Sequence, residues 1–258
     1  MLATLCNPMF KTFVEEKTLK SISQMFKDDE LRCLCSNPSP KAIEYLNTID
    51  PKYLDWEMLS ANPSAVTMLE QNQDKIVWYW LSQNPEAIHL LKMYPERINW
   101  TMLSANPGAF EILSSNKDKI NWNMLSSNES IECSQMCKDN IDAVSDWCYM
   151  GNNPYMADII LDNVTRVPKN EFTSNPDIRL IAKHAGLEEE GVTYKLSSAW
   201  GISANVNDIA LTHLFANYSD NVEYTPLSKN PNPLALKHLS QNPSKINWER
   251  LLTNPGLF

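Results

Sequence analysis

Residues 84–105 read NPEAIHLLKMYPERINWTMLSA, and the phrase starts again at once with Asn106-Pro107. Asn84 suits a helix N-cap, because its side-chain oxygen can accept from an amide that lacks an intrahelical partner. Pro85 fits the first helical position, where its missing N–H costs nothing. Ala87, Ile88, Leu90 and Leu91 then mark one face of a short helix, and strict alternation is absent, which counts against a strand. Tyr94-Pro95 ends that helix, since proline disfavours helical geometry in the residue before it. Asn99 caps a second short helix carrying Trp100, Met102 and Leu103. The phrase therefore encodes helix, turn, helix.

Outward from this stretch the phrase recurs in step. Trp56, Trp78, Trp100 and Trp122 are each 22 residues apart, and Asn-Pro opens units at Asn37, Asn62, Asn84 and Asn106. Asn128 holds the place with Glu129 in the proline slot. Asp55, Asn121 and Asn247 match Asn99 as caps of the second helix, and Val77 is the exception. The register runs on through Asn153, Asn175, Asn205 and Asn230, with Trp147 and Trp200 as weaker tryptophan equivalents. A last regular copy starts at Asn232, includes Trp248 and ends at Asn254-Pro255. A fixed period of this length is the signature of stacked units.

A 22-residue helical pair buries too little alone to offset its ordering entropy, so it must stack on neighbours. The expectation is an all-α solenoid of tandem ~22-residue helix–turn–helix repeats over residues 37–258. Residues 37–128 and 232–254 are near consensus, and 129–229 is degenerate. Residues 1–36 do not match and are expected to form an N-terminal helical cap, with Phe10–Phe26 as an amphipathic helix. The indoles, with Ile76, Ile98, Ile120 and Ile246, are expected to fill the seam between units, and the repeated asparagines to act as helix caps. The chain halts at Leu257-Phe258 just after opening another unit, which predicts a partly exposed stacking face available for self-association.

Composition narrows the function classes. Net charge is −9 with a pI near 5.0, and no basic stripe breaks it, which argues against nucleic acid or an anionic membrane as the main partner. No run of eighteen apolar residues and no secretory signal is visible, so neither a membrane span nor export is expected. The six cysteines are irregularly placed and read as free thiols in a reducing compartment. Cys133 and Cys137 stand i, i+4 in CSQMC, a poor zinc geometry without two further ligands. His89, His184, His213 and His238 share no spacing with a nucleophile. With six glycines and no Gly-rich loop, HExxH or GxSxG string, no cofactor, metal site or catalytic residue is expected.

The strings NPEAIHLL, KINWNMLSSN and KINWERLLTNP resemble the Asn-Pro-rich short repeat proteins encoded by large DNA viruses of algae and protists. The resemblance covers about half the chain clearly and the rest by register. It implies a helical, non-enzymatic scaffold for protein partners, viral or host, as a structural or capsid-associated component in the virion. The alternative is an adaptor for host proteins in the cytoplasm of the infected cell, and a third reading puts a metal-dependent or enzymatic function in 129–229. The insertion between Asn175 and Asn205, with His184, Glu188, Glu189, Glu190 and Trp200, is the candidate partner-binding segment, because loops inserted into regular arrays carry binding function. Leu257 and Phe258 are added as the open end.

Overall fold

The computed structural model describes residues 6–10, 28–163, 165–167, 174–177, 179–180 and 199–258. Among these, every regular element is an α-helix or a 3₁₀ turn, and no strand occurs. The chain is all-α. The helices begin with α1 (Asp28–Cys35), α2 (Pro40–Leu46), α3 (Trp56–Ala61), α4 (Val66–Gln71) and α5 (Trp78–Leu81). They continue with α6 (Ile88–Met93), α7 (Trp100–Ser104), α8 (Phe110–Ser114), α9 (Trp122–Ser126), α10 (Ile131–Lys138) and α11 (Ala157–Asp162). The last are α12 (Ala199–Ala204), α13 (Asp208–Asn217), α14 (Tyr224–Lys229), α15 (Pro233–Gln241) and α16 (Trp248–Leu252). Helices this short do not persist in water by propensity, so their stability comes from packing and capping.

The caps follow the sequence. Asp55, Asn99, Asn121 and Asn247 accept from the amides of Met58, Met102, Met124 and Arg250 at 2.9–3.1 Å, and Val77 makes no side-chain cap. The Asn-Pro asparagines cap too, accepting from the amide two residues on, as Asn62 does from Ser64 and Asn84 from Glu86.

The chain divides into two compact units, Met1–Ala87 together with Tyr224–Phe258, and Ile88–Glu223. In the first, the second helices of successive repeats pack in the order α14, α16, α1, α3, α5, so the order passes from the end of the chain to its beginning. A ladder of buried asparagines follows the same order. The Asn254 amide donates to the carbonyls of Ser228 and Asn230, both at 2.9 Å. Asn37 donates to Leu252 at 2.7 Å and Asn254 at 2.8 Å, Asn62 to Cys35 and Asn37, and Asn84 to Ser60 and Asn62. Each rung thus caps its own repeat with its oxygen and ties off two carbonyls of the repeat before it with its nitrogen. Such burial of an amide is tolerated because all its polar atoms are used.

The second unit has the same construction. Asn128 donates to Ser104 and Asn106, Asn153 to Ser126 and Asn128, Asn175 to Gly151 and Asn153, and Asn205 to Asn175. A serine two residues before the asparagine adds a parallel tie. Ser104 Oγ donates to Trp100 O and accepts from the amide of Asn121, and in the first unit Ser60 does the same with Trp56 and Val77. The asparagines are helix caps, as expected, and inter-repeat ties as well.

Three expectations need correction. The seam is leucine more than tryptophan: Leu59, Leu81, Leu103, Leu125 and Leu251 are fully buried, while Trp56, Trp78, Trp100 and Trp122 are half-buried, and Trp147 and Trp248 are buried as expected. Of the isoleucines, Ile76 and Ile120 are buried and Ile98 and Ile246 only partly. The half-buried indole lies across the turn, as Trp56 Nε1 donating to Pro51 O illustrates. The expected open stacking face after α16 is covered by α1. Its far corner is closed by Asn7, whose side chain donates to Gly256 O at 3.0 Å and whose backbone amide donates to Leu257 O. Asn7-Pro8 is itself an Asn-Pro opening: Asn7 accepts from the Met9 amide and precedes the 3₁₀ turn Pro8–Phe10, in which Phe10 is buried. The remainder of the expected Phe10–Phe26 helix lies outside the described residues.

Candidate functional site: grooves between repeats

In the second unit, neighbouring repeats leave grooves between their first helices. One, of about 680 Å³, lies between α6 and α8 with their following turns. Its floor is Ile98, Trp100 and Ile112. Lys92 and Glu111 bridge one rim at 2.6 Å, and the Lys119 ammonium sits 4.4 Å from the centre of the Trp100 ring. The Lys92 hydrogen bond holds the Glu111 carboxyl below its usual range. The next groove, of about 550 Å³, lies between α8 and α10 and offers Phe110, Ile131 and Met136 between Lys117 and the acids Glu132 and Asp139. Ile131 is 63% exposed, an apolar side chain left at a groove mouth. The half-buried Trp100 thus has a use: its exposed face is floor of the first groove. Both grooves combine apolar floor with charged rims, the character of a surface that takes extended polypeptide.

The residues singled out from sequence are not brought together. Trp200 opens α12 and is 55% exposed. His184, Glu188, Glu189 and Glu190 lie outside the described residues. Leu257 is fully buried beneath the Asn7 contact, so it presents nothing to a partner, and Phe258 is half-buried. Sequence reasoning missed the groove residues Lys92 and Glu111 because they do not recur from repeat to repeat, and Lys119 because it does, sharing its place with Lys75, Arg97 and Lys245. The recoverable signal was the 19-residue Lys92–Glu111 spacing, which puts opposite charges on adjacent first helices.

Thiol chemistry is divided. Burial pushes Cys35 and Cys137 up to about 11 and raises Cys133, which leaves those thiols protonated and inert. Cys148, on the 3₁₀ turn Trp147–Met150, is exposed. His89 lies on α6, two repeats away in register, so the two do not make a nucleophile–base pair of the kind acyl transfer requires. Among the described residues no group of three His, Cys, Asp or Glu side chains could hold a metal ion, and no helix is long and apolar enough to cross a membrane.

Residues 38–152 match the family model of the Tungro spherical virus-type peptidase. No curated protein and no solved structure matches the chain. The matched span is less than half of the sequence, and it contains both grooves and Cys148. This match corrects the expectation of a non-enzymatic scaffold: it points to a proteolytic function and to a viral protein.

Proposed function

We propose that this protein works in proteolysis on behalf of a virus, and that its inter-repeat grooves grip the polypeptide being processed. The observation that carries the reading is a coincidence of place. The two grooves are lined by residues between Leu91 and Asn140, all inside the span that resembles a viral peptidase. We take the finer arrangement to be a solenoid of ~22-residue repeats, supported by the asparagine and serine ladders within each unit. In such an array neighbouring repeats stand about 8–10 Å apart. An extended chain advancing about 3.3 Å per residue would then meet a new groove every third residue. Cys148 is the thiol to test as nucleophile, being the exposed cysteine of the matched span. The resemblance to Asn-Pro repeat proteins of large DNA viruses fits the same setting, in the particle or in the host cytoplasm, with viral or host polypeptides as partners.

The test is to incubate the pure protein with a reduced, unfolded polypeptide and to follow both retention and new termini by mass spectrometry. The reading expects retention that Lys119→Glu weakens and cleavage that Cys148→Ser abolishes. Retention without cleavage removes the proteolytic step; absence of both removes the reading.

A further inference from the structure

We propose that a cationic groove in the first unit, where the end of the chain meets its beginning, binds an acidic polypeptide segment. The groove, of about 780 Å³, runs across three successive repeats, those of α14, α16 and α1. Its apolar side is Pro38, Pro231 and Pro255, the prolines of three Asn-Pro openings, with Met58 beside them. Its charged side is Arg32, Lys229 and Arg250, against one acid, Glu249. Arg32 is engaged by Asp55 at 3.1 Å and reaches Glu57 at 4.0 Å. Lys229 and Arg250 are exposed and make no ion pair among the described residues.

The charge is local to this place. Lys229 sits one residue before its repeat's asparagine, and Arg250 four before. At the first position other repeats have Gln83, Ala105 and Ser127, and at the second Trp80, Met102 and Met124, all uncharged. Two unpaired cations at one edge therefore stand out in a chain of net charge −9. Long-range repulsion from that net charge disfavours a dense polyanion, and the groove has no aromatic ring on which a base could stack. Carboxylates spaced along an extended chain fit better, since prolines give a rigid apolar wall and the cations meet isolated charges. With the second helices packed about 8–10 Å apart, acids at every third position would meet successive repeats. This proposal does not rest on the proteolytic reading; it concerns a different unit and different residues.

The test uses the full chain and a fluorescent twelve-residue peptide with glutamate at every third position, read by anisotropy. Saturable binding is expected, with the glutamine counterpart showing none. Charge reversal at both exposed sites, Lys229→Glu with Arg250→Glu, should weaken it about tenfold or more, as loss of complementary charge at an interface does. Raising salt from about 50 to 300 mM should weaken it too, by screening. Lys41→Glu, exposed on α2 and outside every groove described, should leave it unchanged. Equal binding of the glutamine peptide, equal binding by the charge-reversed protein with its helical signal intact, or tighter binding of an oligothymidylate would overturn the proposal.

Discussion

The two units have ladders of the same design but differ in what links the rungs. In Ile88–Glu223 each described rung, from Asn106 to Asn205, is joined to the next by continuous chain. In the other unit the step from Asn254 to Asn37 has no covalent link, and the amide of Asn37 reaches back across 217 residues. Yet its two bonds, at 2.7 and 2.8 Å, match those at Asn62 and Asn128. The lesson is that the seam is specified by side chains and helix packing. Connectivity adds only proximity.

The largest expected effect comes from attacking that unlinked step. Asn37→Ala leaves the carbonyl of Leu252 and the amide of Ser39 without a partner, and leaves the Asn254 carbonyl only the Leu257 amide. At about 1–3 kcal/mol for each buried orphan, the variant should lose several kcal/mol of stability. Asn128→Ala should lose a similar amount in the other unit, since it removes the same bonds. Chemical denaturation measures both, and a much smaller loss at Asn37 would break the equivalence of the two ladders.

Next in size is the contrast between leucine and tryptophan. Leu103→Ala should cost about 2–5 kcal/mol, as for a fully buried leucine. Trp100→Ala should cost less, about 1–2 kcal/mol, because its half-exposed ring gives up only part of its area and a cation–π contact with Lys119. The reverse order in thermal melts would return the seam to the tryptophans.

A smaller effect, of the same sign in both units, is the response to pH. His238, on α15, shares a 3.1 Å hydrogen bond with Tyr224, and burial, with Lys245 nearby, holds its pKa below the usual value. His213, on α13 of the other unit, is lowered by burial. A lowered folded pKa means the unfolded chain binds more protons, so this stability is full above about pH 6.5 and is lost as pH falls through the folded value. The melting temperature should therefore be lower at pH 5 than at pH 7.5, and His238→Gln should reduce that difference. The smallest test leaves stability untouched: iodoacetamide should alkylate Cys148 first, and Cys35, Cys133 and Cys137 only once the chain unfolds.

Much of the fold was legible because Asn, Pro and the capping residues act locally, and local geometry repeats with the sequence. The helical phrase, its turn and the caps at Asp55, Asn99, Asn121 and Asn247 all follow from neighbours in the chain. The second role of the asparagines was not legible, since the carbonyls they tie belong to the previous repeat. Asn7-Pro8 carried the same opening signal and went unread because no tryptophan follows in register. The tryptophans drew attention by their spacing, yet Trp56, Trp78, Trp100 and Trp122 are half-buried, and the leucine three residues after each is the side chain fully closed off between helices. Function was the least legible part: Lys92, Glu111, Lys229 and Arg250 break the period, and a site made by departures cannot be found by aligning the copies.

Residue-resolved hydrogen exchange of the amides that follow the ladder asparagines tests the central claim most directly. Ser64 and Glu86 in one unit, and Ser130 and Tyr155 in the other, donate to buried Asn side chains at 3.0 Å. The account predicts that all four exchange as slowly as the core helical amides of Leu59 and Leu125. Exchange at the rate of an open turn would contradict it.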